Sequence, residues 1–489
     1  MNKSLCFLGA LAFSTLVSYA QNSLPRIEIN VREDFENFKA FPLENKQLVL
    51  ISNAEKSEKG NLEIKSDFYN EELKLVDSKS VYVKDRSSVY ESYQENGINY
   101  TLVKNKRDYV AIIISDTNNN TIRKVEATVE SDTGLTDMIV KHNKAYFRTV
   151  EDKTDLLVII DLETAAVTKT PFEIDSIKNK DLEIKDYQVV DDEVIVFLNT
   201  KISKTSSDLY FVTLDLNGSL KQTVNLTKNV SEKLISVSAT KSGSKYILTG
   251  TYSKTKSDMS QGIYMAEVNN QSLQFIKFYN FTDLNKFTSY MSDRNQRKIE
   301  RKAENAEKHD KELLLNYNIE THDVKVVDGY YIFIGEAYVP IYVTVNNGRM
   351  ISQQFAGYHY THAVICKFDQ SGNLIWDNSF EMSPRVRPYI VKKFIKPNFY
   401  DNMVDLSFGD LHKLFYKKID LTTGFTLKDK DAELMNTDSE GDKVKRSNAS
   451  LEYWHDQYFV AFGTQVLTNS DAKGKRKIFY LNKVSFDKN

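Results

Sequence analysis

Apolar and polar positions alternate along this chain in a unit that recurs about eight times at a period near 50 residues. Each unit holds an apolar strand, such as 47–51, 246–250 or 331–335, followed by a polar loop and a second strand that ends in Asp or Asn. Those ends fall at Asp67, Asp116, Asp161, Asp215, Asn269, Asp369, Asp420 and Asp487. Tight polar turns such as Glu95-Asn96-Gly97 and Asp328-Gly329 precede the first strand, and short strands flank the hairpin on both sides. Four meandering strands per unit predict an all-β fold, a β-propeller of about eight (alternatively seven) four-stranded blades over residues 21–489. The last unit lacks chain for a fourth strand, and a strand near 27–31 is expected to supply it and close the ring. The recurring Asp side chains are expected to bond to the backbone of the turns that follow them.

Two segments depart from the unit. Residues 283–316 are highly charged and free of Pro and Gly, and predict a helical insertion capped by Ser292 with Ile299, Ala303, Ala306 and Leu313 on one face. Residues 338–360 predict a hairpin protruding from the same blade. Propellers carry specificity on such loops, so both are candidate contact surfaces.

Composition sharpens this picture only slightly. Tyr (28) and Phe (27) are abundant, which suits pleated sheet. A formal charge of −2 supplies no overall field for nucleic acid, and the arginines of the insertion have no interleaved aromatic residues to stack bases, so no nucleic-acid partner is expected. The first 20 residues read as a signal peptide: a basic start at Lys3, an apolar run over 5–17 and a small-x-small site at 18–20. The chain is therefore expected to be exported, periplasmic or extracellular, with no transmembrane segment after signal cleavage. Cleavage leaves Cys366 as the single cysteine, expected to be a buried small hydrophobe.

Candidate binding residues cluster near the two insertions. Arg294, Arg297 and Arg301, with Lys298 and Lys302, give the helix a basic half, although the whole segment from Asp293 to Glu312 holds seven basic and six acidic residues. Tyr358, His359, Tyr360 and His362 form a Tyr/His-rich stretch suited to ligand contact. The i,i+3 spacing of His359 and His362 sends them to opposite faces of a strand, so no metal site is predicted, and no cofactor motif is present. Arg349, Arg385 and Arg387 could each bind a carboxylate or phosphate in bidentate fashion. No catalytic residue can be assigned, because a propeller active site converges from different blades.

The stretch Gly357-Tyr358-His359-Tyr360-Thr361-His362-Ala363-Val364 through Asp369, Gly372 and Trp376-Asp377, with the Ala-Gln signal ending and the Asn/Lys/Tyr-rich composition, resembles secreted or periplasmic propeller-like proteins of Bacteroidota bacteria. That resemblance implies fold and export and carries over no site residues. The expected role is a non-catalytic binding or scaffolding protein of the cell envelope, with a protein or glycan partner. The alternative is a carbohydrate-active hydrolase or lyase working at one mouth of the ring.

Overall fold

The computed structural model describes residues 24–31, 37–53, 60–106, 108–174, 177–201, 207–255, 257–346, 351–434, 442–469 and 474–486. Among these, the strands form eight antiparallel sheets. Within each sheet the strands are named A to D from the innermost outwards. The first blade is typical: A is Asn37–Pro42, B Leu48–Asn53, C Asn61–Tyr69 and D Leu75–Lys84. Its B strand is apolar on both faces because blades lie on either side of it, so Leu48, Val49, Leu50 and Ile51 are all buried.

Adjacent blades are joined by eight apolar clusters, one for each interface around the ring. Leu102, Ile112, Phe147 and Val158 fill the second, and Phe197, Phe211, Tyr246 and Leu248 fill the fourth. Leu48, Leu50, Val460 and Leu481 join the eighth blade to the first. At roughly 1.5–3 kcal/mol per fully buried side chain, these interfaces carry the stability that no single central core could supply. Outer strands such as Thr121–Thr128 and Thr426–Glu433 are edges rich in charge, which discourages pairing with another chain.

The ring closes as expected. Arg26–Asn30 pairs antiparallel with Lys475–Ser485, Ile27 opposite Leu481, as the fourth strand of the eighth blade. Arg26 reaches across the join to Gln465 at 2.8 Å with its guanidinium over the Tyr480 ring, and Glu28 pairs with Arg476 at 3.1 Å. Eight blades, not seven, result.

The strand-ending carboxylates behave as turn acceptors. Asp161 Oδ1 accepts from the amides of Glu163 and Thr164, Asp215 from Asn217 and Ser219, and Asp420 from Thr422 and Thr423. Hydrogen bonds from Thr164 and Glu163 hold the Asp161 carboxyl down at about 2. The first blade departs from this pattern. Its C strand runs on to Tyr69, so Asn70 serves the turn by accepting from Glu72 and Lys74, while Asp67 pairs with Lys65. Asp487 lies outside the described residues.

The two faces of the ring are unlike. A–B and C–D connections on one face are tight turns. The opposite face carries the B–C and D–A connections, and both insertions belong to it. The helix lies between the fifth and sixth blades, and the hairpin is the extended B–C connection of the sixth. Here the B strand is Tyr330–Asn346 and the C strand Ile351–Phe368, and they stay paired as far as Asn346 and Ile351. No helix among the described residues is long and apolar enough to cross a membrane.

Candidate functional site

The insertion after the fifth blade has two parts with different physics. Residues 281–291 fold onto the sixth blade. Phe281 and Phe287 stack at 4.3 Å, and the Asp377 carboxylate accepts from the amides of Asn285 (2.9 Å) and Lys286 (2.5 Å). The anchor is His362. Tyr290 stacks on its ring at 3.9 Å, Phe287 and Tyr317 meet it edge-on, and the Tyr290 and Tyr317 hydroxyls share a hydrogen bond of 2.9 Å. His362 Nδ1 lies 3.0 Å from Thr361 Oγ1, while Nε2 is buried without a partner. Burial holds this imidazole down at about 3, so it is neutral.

The second part, the helix Asp293–Glu307, has no buried residue. Ile299, Ala303 and Ala306 of the predicted stripe are half-buried, joined by Gln296, while Leu313 lies beyond the helix end, and Arg294, Arg297 and Arg301 are exposed. The helix is shorter than the 283–316 segment expected to form it, because 281–291 and 308–317 are used for anchoring.

The hairpin is tied to the loop 382–395 that follows the sixth blade. Gly357 adopts φ +97°, and a Cβ there would lie 2.8 Å from the Arg387 carbonyl oxygen, so only glycine permits this approach. Alongside it, Tyr358 N donates to the Pro388 carbonyl at 2.8 Å. The loop is held from below by two carboxylates. Glu336, fully buried, accepts from Phe394 N and Ile395 N at 2.9 Å each and from His322 Nε2 at 2.7 Å. Asp410 accepts from Arg385 N and Val386 N.

From this base a continuous row of aromatic rings runs outwards. Phe394 packs on Tyr360 (4.7 Å), Tyr360 on Tyr338 (5.5 Å), Tyr338 on Tyr358 (5.2 Å) and Tyr358 on Phe355 (5.0 Å). Phe355 then meets Tyr342 at 5.8 Å and Tyr389 at 6.0 Å. The inner rings are core, whereas Tyr342 is 56% exposed and Tyr389 70%, with Ile390 at 80% beside them.

The predicted Tyr/His stretch is thus split. Tyr358 and His359 are half-buried at the hairpin, and burial with the nearby Arg387 charge lowers the His359 pKa. Tyr360 and His362 are fully buried, which corrects the expectation that they contact a ligand. A bulge at Thr361 shifts the register between Ala337 and Tyr338, and the strand beyond it is core. The two histidines share no site, and among the described residues no group of three or more His, Cys, Asp or Glu is placed to hold a metal ion. Arg385 and Arg387 are exposed on the loop, and Arg349 lies outside the described residues. Cys366 is buried, and its surroundings push the thiol pKa up.

A second constellation lies on the innermost strands, where sequence patterning gave no warning. The A strands of the second, third and fourth blades bulge at 90–91, 137–138 and 185, and that of the sixth breaks at 322–324. These irregularities bring Glu91, Asp137, Asp186 and Asp323 towards the channel from four blades. Glu91 accepts from Met138 N at 3.0 Å, and Gln188 donates to Asp323 at 2.9 Å while accepting from Ala239 N at 2.6 Å. Asp186 is accessible to water yet enclosed by protein. Burial raises its carboxyl to about 7, with Asp323 and Asp137 adding to the shift and Lys393 opposing it. At the opposite, A–B end the channel opens into a cavity of about 700 Å³ rimmed by Lys46, Glu95, Lys325, Phe399 and Asp456.

The fold and these sites define the class: an eight-bladed propeller with one decorated face. No protein-family model and no curated protein matches the chain in sequence. Among solved structures it is similar to the polysaccharide lyase Uly1, at 9% identity over 81% of this chain and 89% of that one, TM-score 0.40. It is also similar to the β-propeller domain of the Trilobed protease from Pyrococcus furiosus (10% identity, 83% and 100% covered, TM-score 0.35). A third is the dihydro-heme d1 dehydrogenase NirN in complex with DHE (11% identity, 94% and 80% covered, TM-score 0.46). At these identities the likeness is one of fold, and it lends this chain none of those activities.

Proposed function

We propose that this chain is a non-catalytic binding propeller of the cell envelope, exported by its N-terminal segment, that engages a macromolecular partner through the decorated face. The observation that carries this reading is the aromatic row ending in exposed Tyr342 and Tyr389, raised on a hairpin that is longer, among the described residues, than any other B–C pair and is braced by Gly357, Glu336 and Asp410. Large rings left in water on a braced support mark interaction surfaces. The free helix with Arg294, Arg297 and Arg301 stands on the same face and offers a second point of contact.

The test is affinity capture from native envelopes with three proteins: intact, helix-excised (293–309 replaced by a short Gly/Ser link) and Tyr342→Ala/Tyr389→Ala. Loss of a captured partner in either variant is expected. Unchanged capture by both overturns the reading. Excising only 293–309 matters, because removing all of 283–316 would strip Phe287 and Tyr290 from His362.

A second reading, a carbohydrate-active hydrolase or lyase, is favoured by Asp186. A carboxyl held at about 7 with Asp323 and Asp137 near it has the character of a general acid. Release of reducing ends or unsaturated sugars from a polysaccharide, abolished by Asp186→Asn, would establish it.

A further inference from the structure

The chemistry of the hairpin and its supporting loop is one-sided. Residues 338–360 and 382–395 contain no Asp or Glu at all, in a chain with 67 acidic residues. They contain Arg385, Arg387, Lys392 and Lys393, and all four are exposed. Arg385 and Arg387 form no ion pair among the described residues. Some basic side chains elsewhere on the surface are matched, as in Lys46–Asp456, Lys169–Glu151 and Lys233–Asp258, while Arg294, Arg297 and Arg301 of the helix likewise form no ion pair among the described residues. Unmatched guanidinium groups beside bare aromatic rings leave a surface complementary to anions that also carry apolar faces.

Three kinds of group lie together there. Tyr342 and Tyr389 offer flat apolar rings. Thr344 and Gln353, a cross-strand pair on the same face of the hairpin as Tyr342 and Phe355, add an exposed hydroxyl and amide. Arg385 and Arg387 supply forked donors that match a carboxylate or sulfate. Rings for C–H faces, amides for hydroxyls and guanidinium for an acid group are the complement of an acidic sugar. The geometry also favours a chain over a compact ligand, since the two exposed rings flank Phe355, at 5.8 and 6.0 Å, on a protruding hairpin and its supporting loop instead of lining a cleft. The anchors of protein interfaces, in comparison, sit in desolvated pockets.

We infer that the decorated face, taken as the binding face above, holds an anionic polysaccharide laid along the hairpin, its sugars against Tyr342 and Tyr389 and its acid groups on Arg385 and Arg387. Binding therefore needs both ring and charge. Neutral glucans lack the anion, and a generic polyanion lacks the stacking faces.

The test is affinity electrophoresis of the full chain through gels containing polygalacturonate, chondroitin sulfate, neutral dextran or inorganic polyphosphate. Retardation by at least one of the two acidic polysaccharides and none by dextran is expected. Tyr342→Ala/Tyr389→Ala and Arg385→Gln/Arg387→Gln should each weaken it about tenfold or more, the effect of losing two stacked rings or two charged contacts. All the replaced side chains are exposed, so melting curves should match the parent and separate lost binding from lost fold. No retardation by either acidic polysaccharide, equal retardation by polyphosphate, or retention of binding in the tyrosine variant overturns the inference. So does a dimer that dissociates on Tyr342→Ala, which would make the occupant a second copy. If polysaccharide binding fails while an envelope partner is still lost with the tyrosine variant, the binding face stands and only its ligand is wrong. If neither readout responds to any change on this face, both readings fall.

Discussion

The insertion after the fifth blade and the hairpin beside it each contain an anchored half and a free half, and the contrast separates two uses of sequence. In the anchored halves polarity is answered group by group: Asp377 to the amides of 285 and 286, Glu336 to those of 394 and 395, Tyr290 to Tyr317. In the free halves little is answered. The helix Asp293–Glu307 buries no side chain, and Tyr342 and Tyr389 stand in water. Anchoring explains why these segments hold their place, but it gives no reason for the free parts to exist. Their cause lies outside the fold, which is why a partner is sought there.

That contrast can be broken most severely at Glu336. Glu336→Ala leaves two backbone N–H groups and the His322 ring without their buried partner, and should cost roughly 3–5 kcal/mol in urea unfolding. A cost under about 1 kcal/mol would mean the loop 382–395 is not braced from below.

The second break is titrated. The folded pKa of His362 is depressed to about 3 while the unfolded chain titrates near its ordinary value, so the unfolded state takes up the proton first as pH falls. The stabilising contribution is complete above about pH 6.5 and is lost as pH falls towards 3. The groups facing the ring, Phe287, Tyr290, Tyr317 and Thr361, carry no charge that would offset this. Roughly 2–3 kcal/mol should disappear between pH 7 and 4.5, and His362→Phe should flatten that slope. Equal slopes in the two proteins would show that the box is open to water.

The smallest effect sharpens the comparison. Excising 293–309 should move the melting temperature by less than about 2 °C, because no buried side chain is lost. A larger fall would place the helix among the anchored parts.

Much of the fold was legible because it repeats. Alternation over four strands, an Asp or Asn at or near the C-strand ends and a missing last strand together determine blades, turns and closure. Asn70 taking the place of Asp67 shows the limit, since the pattern fixes the role and allows its position to slide with strand length. The decorated face was legible as an interruption but not in its parts. Tyr358 and Tyr360 look alike in sequence and lie two positions apart on one strand, yet one is half-buried towards the hairpin and the other is core, and the depth at which the strand leaves the blade has no mark in residue type. The channel carboxylates were hidden for a similar reason. Lys185-Asp186 and His322-Asp323 are polar pairs within strand-like runs, the one local sign of a broken inner strand.

The join between Arg26–Asn30 and Lys475–Ser485 has a mechanical meaning. Because the two strands are antiparallel neighbours with Arg26 opposite Asn482, the chain enters and leaves the ring at the same end of one blade. Tension drawn between the two ends peels this pair one hydrogen bond at a time, the weak direction for a sheet, whereas a pull across the ring loads many bonds in shear. The clasp therefore opens first under load, and a tether at one end alone would leave the ring intact.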